Sequence, residues 1–138
     1  MDEQRIRSFF SGDRFAALAG AEIVELKPGY CRCKLEVSEK HLNAVNVVQG
    51  GAIFTLADFA FAVASNSHGQ LALAINVNIS FLAGRSSGTL FAEARELADP
   101  NRIGAYEVRV TDDAGALVAQ FNGLVYRKNE RLWGQAPS

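Results

Sequence analysis

Between His41 and Gly84 the chain carries a single Asp, Glu, Lys or Arg: Asp58, inside the otherwise apolar run ADFAFAVA of residues 57–64. Burying a carboxylate without a countercharge is costly, so a purely structural role calls for a cation nearby, and the local sequence supplies none. Buried acids with raised proton affinity concentrate at active sites, where they act as bases or nucleophiles. Asp58 is therefore the candidate catalytic group. Its alternative is a core carboxylate hydrogen-bonded to backbone.

The residues upstream suit the opposite charge. His41, Asn43, Asn46 and Gln49 lead into Gly50-Gly51, where a long apolar segment begins. If that segment is a helix, its first N–H groups lack intrahelical partners and carry partial positive charge. Two glycines leave them open to a ligand oxygen, so they can serve as an oxyanion hole. Asp58 lies eight residues beyond Gly50, which on a helix is roughly 12 Å along the axis. A reacting carbon must sit about 3 Å from both base and oxyanion donors, so one helix cannot supply both. Two helices running antiparallel across a two-fold axis can, and a homodimer becomes a requirement of the chemistry. Simpler roles compete for the neighbours: His41 as a loop residue, Gln49 as a helix cap, and His68 as a turn residue whose cation suits a helix C-terminus. Neither histidine has the partners of a metal site.

The elements that would position these groups follow from periodicity. Residues 4–18 predict an amphipathic helix with Ile6, Phe9, Phe10 and Leu18 on one side, interrupted at Ser11-Gly12. Segments 21–26 and 30–37 flank Pro28-Gly29 and predict a hairpin. Residues 52–65 are apolar on every side, which predicts a helix buried all round. Four strands follow at 73–82, 89–97, 103–112 and 117–127, with turns at Gly88, Pro100-Asn101 and Asp113-Ala114-Gly115. Residues 129–138 read as a loose tail. A hairpin, a buried helix and a run of antiparallel strands imply one α+β domain over 1–138, a curved sheet wrapping the helix. Its uncovered edge strand again favours a second copy.

Bulk composition fits this picture. With 138 residues and 49% hydrophobic content, one substantial core is expected. A net charge of −1, from 14 basic and 15 acidic residues, argues against nucleic acid and membrane surfaces as partners. The run 52–64 is too short to span a bilayer and the first residues lack a signal peptide's apolar core, so a cytoplasmic location is expected. Cys31 and Cys33 would share one strand face as reduced thiols.

The stretch HLNAVNVVQGGAIFTLADFAFAVASNSHG resembles the signature of hot-dog-fold acyl-CoA thioesterases of the phenylacetate-pathway PaaI type. The family's His-x-Asn, His-Gly-Gly and Leu-Ala-Asp pattern is matched at 41, 43, 50, 51 and 56–58. The similarity continues through GTLFAEARE and IGAYEVRVTDDAGALVAQFNG. It implies a hot-dog fold and hydrolysis of a thioester to a carboxylate and free coenzyme A. Asp58 would act as general base or nucleophile, the Gly50 N–H would polarise the carbonyl, and Asn43 would hold substrate or water. It further implies a site at a dimer interface, with dimers pairing into tetramers, and no cofactor, since coenzyme A is part of the substrate. Gln49 stands where the family commonly has histidine; it donates a hydrogen bond but exchanges no proton near neutral pH. Asn46 replaces a frequent glycine. Gly51 and His41 would help bind substrate. On the following strand Ala74, Asn76, Asn78 and Ser80 would share a face, making Asn76 the candidate to orient water. Phe54, Phe59 and Phe61 would favour an aryl or medium acyl group, and Arg85, Arg102 or Lys128 could meet the coenzyme phosphates. Two rivals stay open: a hydratase or dehydratase using His41, and a non-catalytic acyl-CoA-binding protein.

Overall fold

The computed structural model describes residues 1–98 and 101–133. Helix α1 (Glu3–Phe10) is capped by Asp2, which accepts the Arg5 N–H, and buries Ile6 and Phe10. Helix α2 (Arg14–Ala19) is capped by Asp13, which accepts the Ala16 N–H at 3.0 Å. The break at Ser11-Gly12 falls where the sequence placed it. It also redirects the second helix, leaving Leu18 74% exposed rather than on the buried side with Ile6, and Phe9 of α1 is itself 45% exposed.

Strands β1 (Glu22–Lys27) and β2 (Tyr30–Glu36) form the hairpin, with Gly29 at φ 71 in its turn. A short 3-10 turn (Glu39–His41) then leads to α3 (Gly50–Asn66), followed by β3 (Gln70–Phe81), β4 (Thr89–Glu96), β5 (Ile103–Thr111) and β6 (Leu117–Arg131). The six strands form one antiparallel sheet in the order β1-β2-β4-β5-β6-β3. Six strands at about 4.8 Å spacing are wider than one helix, yet α3 touches every strand. The sheet therefore curves around α3, the hot-dog arrangement.

Packing at the centre depends on one missing side chain. A Cβ at Gly123 of β6 would lie 2.6 Å from Cζ of Phe61. The Phe61 ring occupies that space, 5.8 Å from Tyr106 and 5.4 Å from Phe121 between centroids. Phe61 is 2% exposed and serves the core, which corrects its assignment to substrate binding. Phe59 is also buried, against Phe10 of α1. Cys31 and Cys33 lie side by side in the core as free thiols, 3.5 Å apart.

Beyond the C-terminal end of α3 sits a buried polar cluster. The Tyr106 hydroxyl donates to Glu96 at 2.6 Å, and Nε2 of His68 lies 2.8 Å from the same carboxylate. The buried Arg127 guanidinium donates to the Tyr106 oxygen at 2.8 Å and to the Asn101 carbonyl at 2.6 Å. His68 thus meets a carboxylate as well as following the helix end. The expected tail is partly strand: β6 runs to Arg131, opposite Gln70, and Leu132 is buried. The Arg5 guanidinium covers the Trp133 ring at 4.1 Å. Residues 134–138 lie outside the described residues, as does Pro100 of the expected turn.

Candidate active site

Helix α3 is not buried all round. Past its first turn, the residues that keep some exposure are Phe54, Thr55, Asp58 and Ala62. Their spacing of three and four places them on one stripe. On one flank of that stripe Thr55 and Ala52 face α2; on the other Gly50 and Ile53 face β3. The uniform hydrophobicity of the segment hid this stripe because its residues are apolar apart from Thr55 and Asp58.

Asp58 stands at the middle of the stripe, and no hydrogen bond or ion pair reaches its carboxylate among the described residues. Burial pushes its pKa above the ordinary aspartate value, and the negative charge of Asp13 raises it further. A carboxylate that is partly desolvated and unpartnered keeps its lone pairs available as a base or nucleophile. Sequence reasoning missed Asp13, which is a cap for α2 and a like charge for Asp58 at once.

At the head of α3, the main chain leaves donors free. The Gln49 carbonyl accepts from Ala52 and Ile53, and the Gln49 N–H donates to the His41 carbonyl at 2.8 Å. The N–H groups of Gly50 and Gly51 have no acceptor among the described residues. A Cβ at Gly50 would sit 3.0 Å from Cζ of Phe81, so only glycine fits beneath that ring without displacing it. The Gln49 side chain makes no cap, contrary to its structural alternative; its Oε1 lies over the Gly51 Cα.

The loop before the helix is held by its own polar atoms. Oδ1 of Asn43 accepts from the N–H groups of Val45 and Val47 at 3.0 and 3.1 Å. Asn46 takes φ 62, the left-handed conformation that glycine would take there, so this departure preserves the backbone. His41 is fixed on both sides of its ring. Nδ1 lies 3.0 Å from the Ser38 N–H and accepts it, which leaves Nε2 to donate to the Ala19 carbonyl at 2.6 Å. Its ring is a clamp between the two segments, and the residue lines a cleft. Arg85 is committed to Asp112, with Nε 3.0 Å from Oδ2, and to the Gly84 carbonyl. Arg102 donates to the Arg127 carbonyl near the other end of α3.

Asn76 does not face the helix. A bulge between Ala74 and Asn76 makes Ala74 oppose Val125 but Asn76 oppose Leu124. Directly opposed residues share a sheet face, and Val125 is buried whereas Leu124 is exposed. Asn76, Asn78 and Ser80 therefore project from the outer face. Val77, Ile79 and Phe81 face inward, opposite Gly123, Phe121 and Ala119. A bulge is invisible to a simple alternation count, and this corrects the assignment of Asn76.

Two separate clefts of about 350 and 360 Å³ flank the head of α3. One lies toward α2 and is lined by Gln49 and Gly51; the other lies toward β3 and is lined by Gly50 and Phe81. Among the described residues no group of three or more His, Cys, Asp and Glu could hold a metal ion, and no helix is long and apolar enough to cross a membrane.

Comparison with known proteins adds a lineage to this geometry. A family described as "Domain of unknown function (DUF4442)" matches residues 14–126. A protein of Archaeoglobus fulgidus, carrying only a provisional esterase name, is 44% identical over 129 residues, covering 92% of this chain and 84% of that one. The acyl-coenzyme A thioesterase PaaI of Escherichia coli is 31% identical over 134 residues, 96% of each chain. The structure of the E. coli PaaI protein matches with a TM-score of 0.88 at 29% identity, over 93% of this chain and 94% of that one. A Streptococcus mutans protein bound to acetyl-CoA matches with a TM-score of 0.75 at 25% identity, over 86% and 92%.

Proposed function

Given that the chain belongs to the PaaI-type hot-dog thioesterases and is a thioester hydrolase, we propose that it cleaves aryl- or medium-chain acyl-CoA to free acid and coenzyme A. The site is shared by two copies. The supporting observation is the half-buried Asp58 on the open stripe of α3, without a partner among the described residues, in a chain whose Gly50 and Gly51 N–H groups likewise have none among them. The relatives bring in the substrate class: PaaI of E. coli is named an acyl-coenzyme A thioesterase, and the S. mutans structure holds acetyl-CoA.

In this mechanism the thioester oxygen sits at the Gly50 N–H, where partial positive charge stabilises the oxyanion as the carbonyl becomes tetrahedral. Asp58 of the second copy, brought opposite by a two-fold axis, either takes a proton from the water that attacks the carbonyl, or attacks the carbonyl itself to give a mixed anhydride that water then hydrolyses to the free acid, regenerating the carboxylate. Collapse of the tetrahedral species expels the thiolate; Gln49 can donate a hydrogen bond there but cannot transfer its proton. Asn43 holds the loop that presents Gln49 and Gly50. A hydratase or dehydratase reading loses support, because both ring nitrogens of His41 are bound to main chain.

The test is a free-thiol assay over aryl, short and long acyl-CoA esters with native protein and Asp58→Asn. Removing a general base costs about 10²- to 10⁴-fold in rate. Unchanged turnover in Asp58→Asn would remove Asp58 from the mechanism, and saturable ester binding without thiol release by the native protein would point to a binding protein instead.

A further inference from the structure

We propose that His41 is a positioning residue for thioester hydrolysis: its ring pins the end of α2 to the turn whose carbonyl holds the head of α3, and so fixes where the Gly50 N–H points. The inference rests on the hydrolytic reading above and adds a residue that serves the reaction without touching substrate.

His41 is 5% exposed, and its ring and its carbonyl all bond to main chain. A carbonyl only accepts, so Nε2 donates to Ala19 O at 2.6 Å; an N–H only donates, so Nδ1 accepts from Ser38 at 3.0 Å. The His41 carbonyl in turn accepts the Gln49 N–H at 2.8 Å. Gln49 opens α3, since its own carbonyl takes the N–H groups of Ala52 and Ile53. Two hydrogen bonds through one residue therefore connect the last residue of α2 to the first turn of α3.

The other anchors of this loop act elsewhere. Asn43 Oδ1 holds the Val45 and Val47 N–H groups, the Ser86 hydroxyl donates to the Asn46 carbonyl at 2.7 Å, and the Val48 N–H donates to the Arg85 carbonyl. They tie the loop to itself and to the segment after β3, and none of them reaches α2. The Ala19 carbonyl is left without an intrahelical partner by the end of α2, and His41 is what it meets among the described residues. The other end of α2 bears on the site as well, because its cap Asp13 sets a negative charge near Asp58. Oxyanion donors work only at hydrogen-bond distance from the developing charge, and a misplacement of about 1 Å can cost about 10²-fold in rate.

The experiment compares native, His41→Asn and His41→Gln chains. Asparagine sets an oxygen where Nδ1 stands and can keep only the Ser38 bond; glutamine sets an amide N–H where Nε2 stands and can keep the bond to Ala19. Each variant gives up one hydrogen bond, so their Tm losses should be alike. With phenylacetyl-CoA, His41→Asn should lower kcat about tenfold or more at a KM within about twofold of native, and His41→Gln should recover most of that loss. Hydrogen exchange, which needs no substrate, should quicken about tenfold at the Ala52 and Ile53 N–H groups in His41→Asn alone, while buried Val63 keeps its protection. Native kcat in His41→Asn would overturn the assignment, and so would equal losses in the two variants, the result a merely structural histidine gives. A native chain that releases no thiol would overturn the hydrolytic reading. The exchange rates then decide the pin by themselves: faster in His41→Asn alone upholds it, and equal in all three chains overturns it.

Discussion

Asp58 carries opposite consequences for stability and for activity. Its pKa is raised in the folded chain by burial, with Asp13 adding to the effect. A group with a raised folded pKa favours folding most when protonated, and that advantage is lost as pH rises through the folded value. Above it, ionised Asp58 is a cost that an amide does not bear. Asp58→Asn should therefore raise Tm at neutral pH, with the gain vanishing below the ordinary aspartate pKa of about 3.9, as thermal melts across pH would show. On the proposed mechanism activity runs the other way, because the reactive form would be the carboxylate and turnover should fall on acidification at a higher pH than an ordinary aspartate would give. Asp13→Asn keeps the α2 cap but removes the like charge, so it should move that acid limb to lower pH; an unmoved limb in the pH–rate profile would exclude Asp13. Asp58 and Gly50 were legible in the sequence because a charge-free stretch isolates one and a glycine pair exposes the other. Asn76 and Phe61 were misplaced because a bulge and a packing partner at Gly123 leave no local trace.

The elements owe their positions to burial and to a few polar anchors. The hairpin at Pro28-Gly29 and the break at Ser11-Gly12 were legible from turn chemistry. The extension of β6 was not: Lys128 to Arg131 are all polar, and they are strand because β3 pairs with them. The far end of α3 is held by His68, Glu96, Tyr106 and Arg127, which are distant in sequence and have no pattern of their own. Removing one partner strands the others, so Glu96→Ala, which leaves buried Arg127 uncompensated, should cost about 3–5 kcal/mol in urea unfolding. A loss below 1 kcal/mol would mean that solvent replaces Glu96 freely.

At the scale of the whole molecule the two sheet edges are unequal. Edge β1 is short, bulged and charged, with Glu22, Glu25 and Lys27 exposed. Edge β3, though bulged as well, is 12 residues long, carries no charge and exposes Leu73, Ile75 and Phe81. Unprotected edges of this kind pair with another chain, and β3 also borders the open stripe of α3. A Leu73→Lys/Ile75→Lys chain should run as a monomer of 14.9 kDa and release no thiol although Asp58 is intact. Full turnover by that monomer would place the whole site in one chain. A partner is expected from the Gly50-to-Asp58 spacing and from an uncovered edge, but which strand forms that edge was not legible in the sequence, since strand order depends on contacts between distant segments. The most direct test mixes two inactive chains, Asp58→Asn and Gly50→Pro, the latter lacking the N–H at a first helical position whose backbone accepts proline, with the half-exposed Phe81 ring displaced by the added Cβ. Random two-fold pairing gives half mixed dimers, each with one intact site, so about a quarter of native thiol release should return; mixtures no more active than either parent would contradict a site built from two subunits.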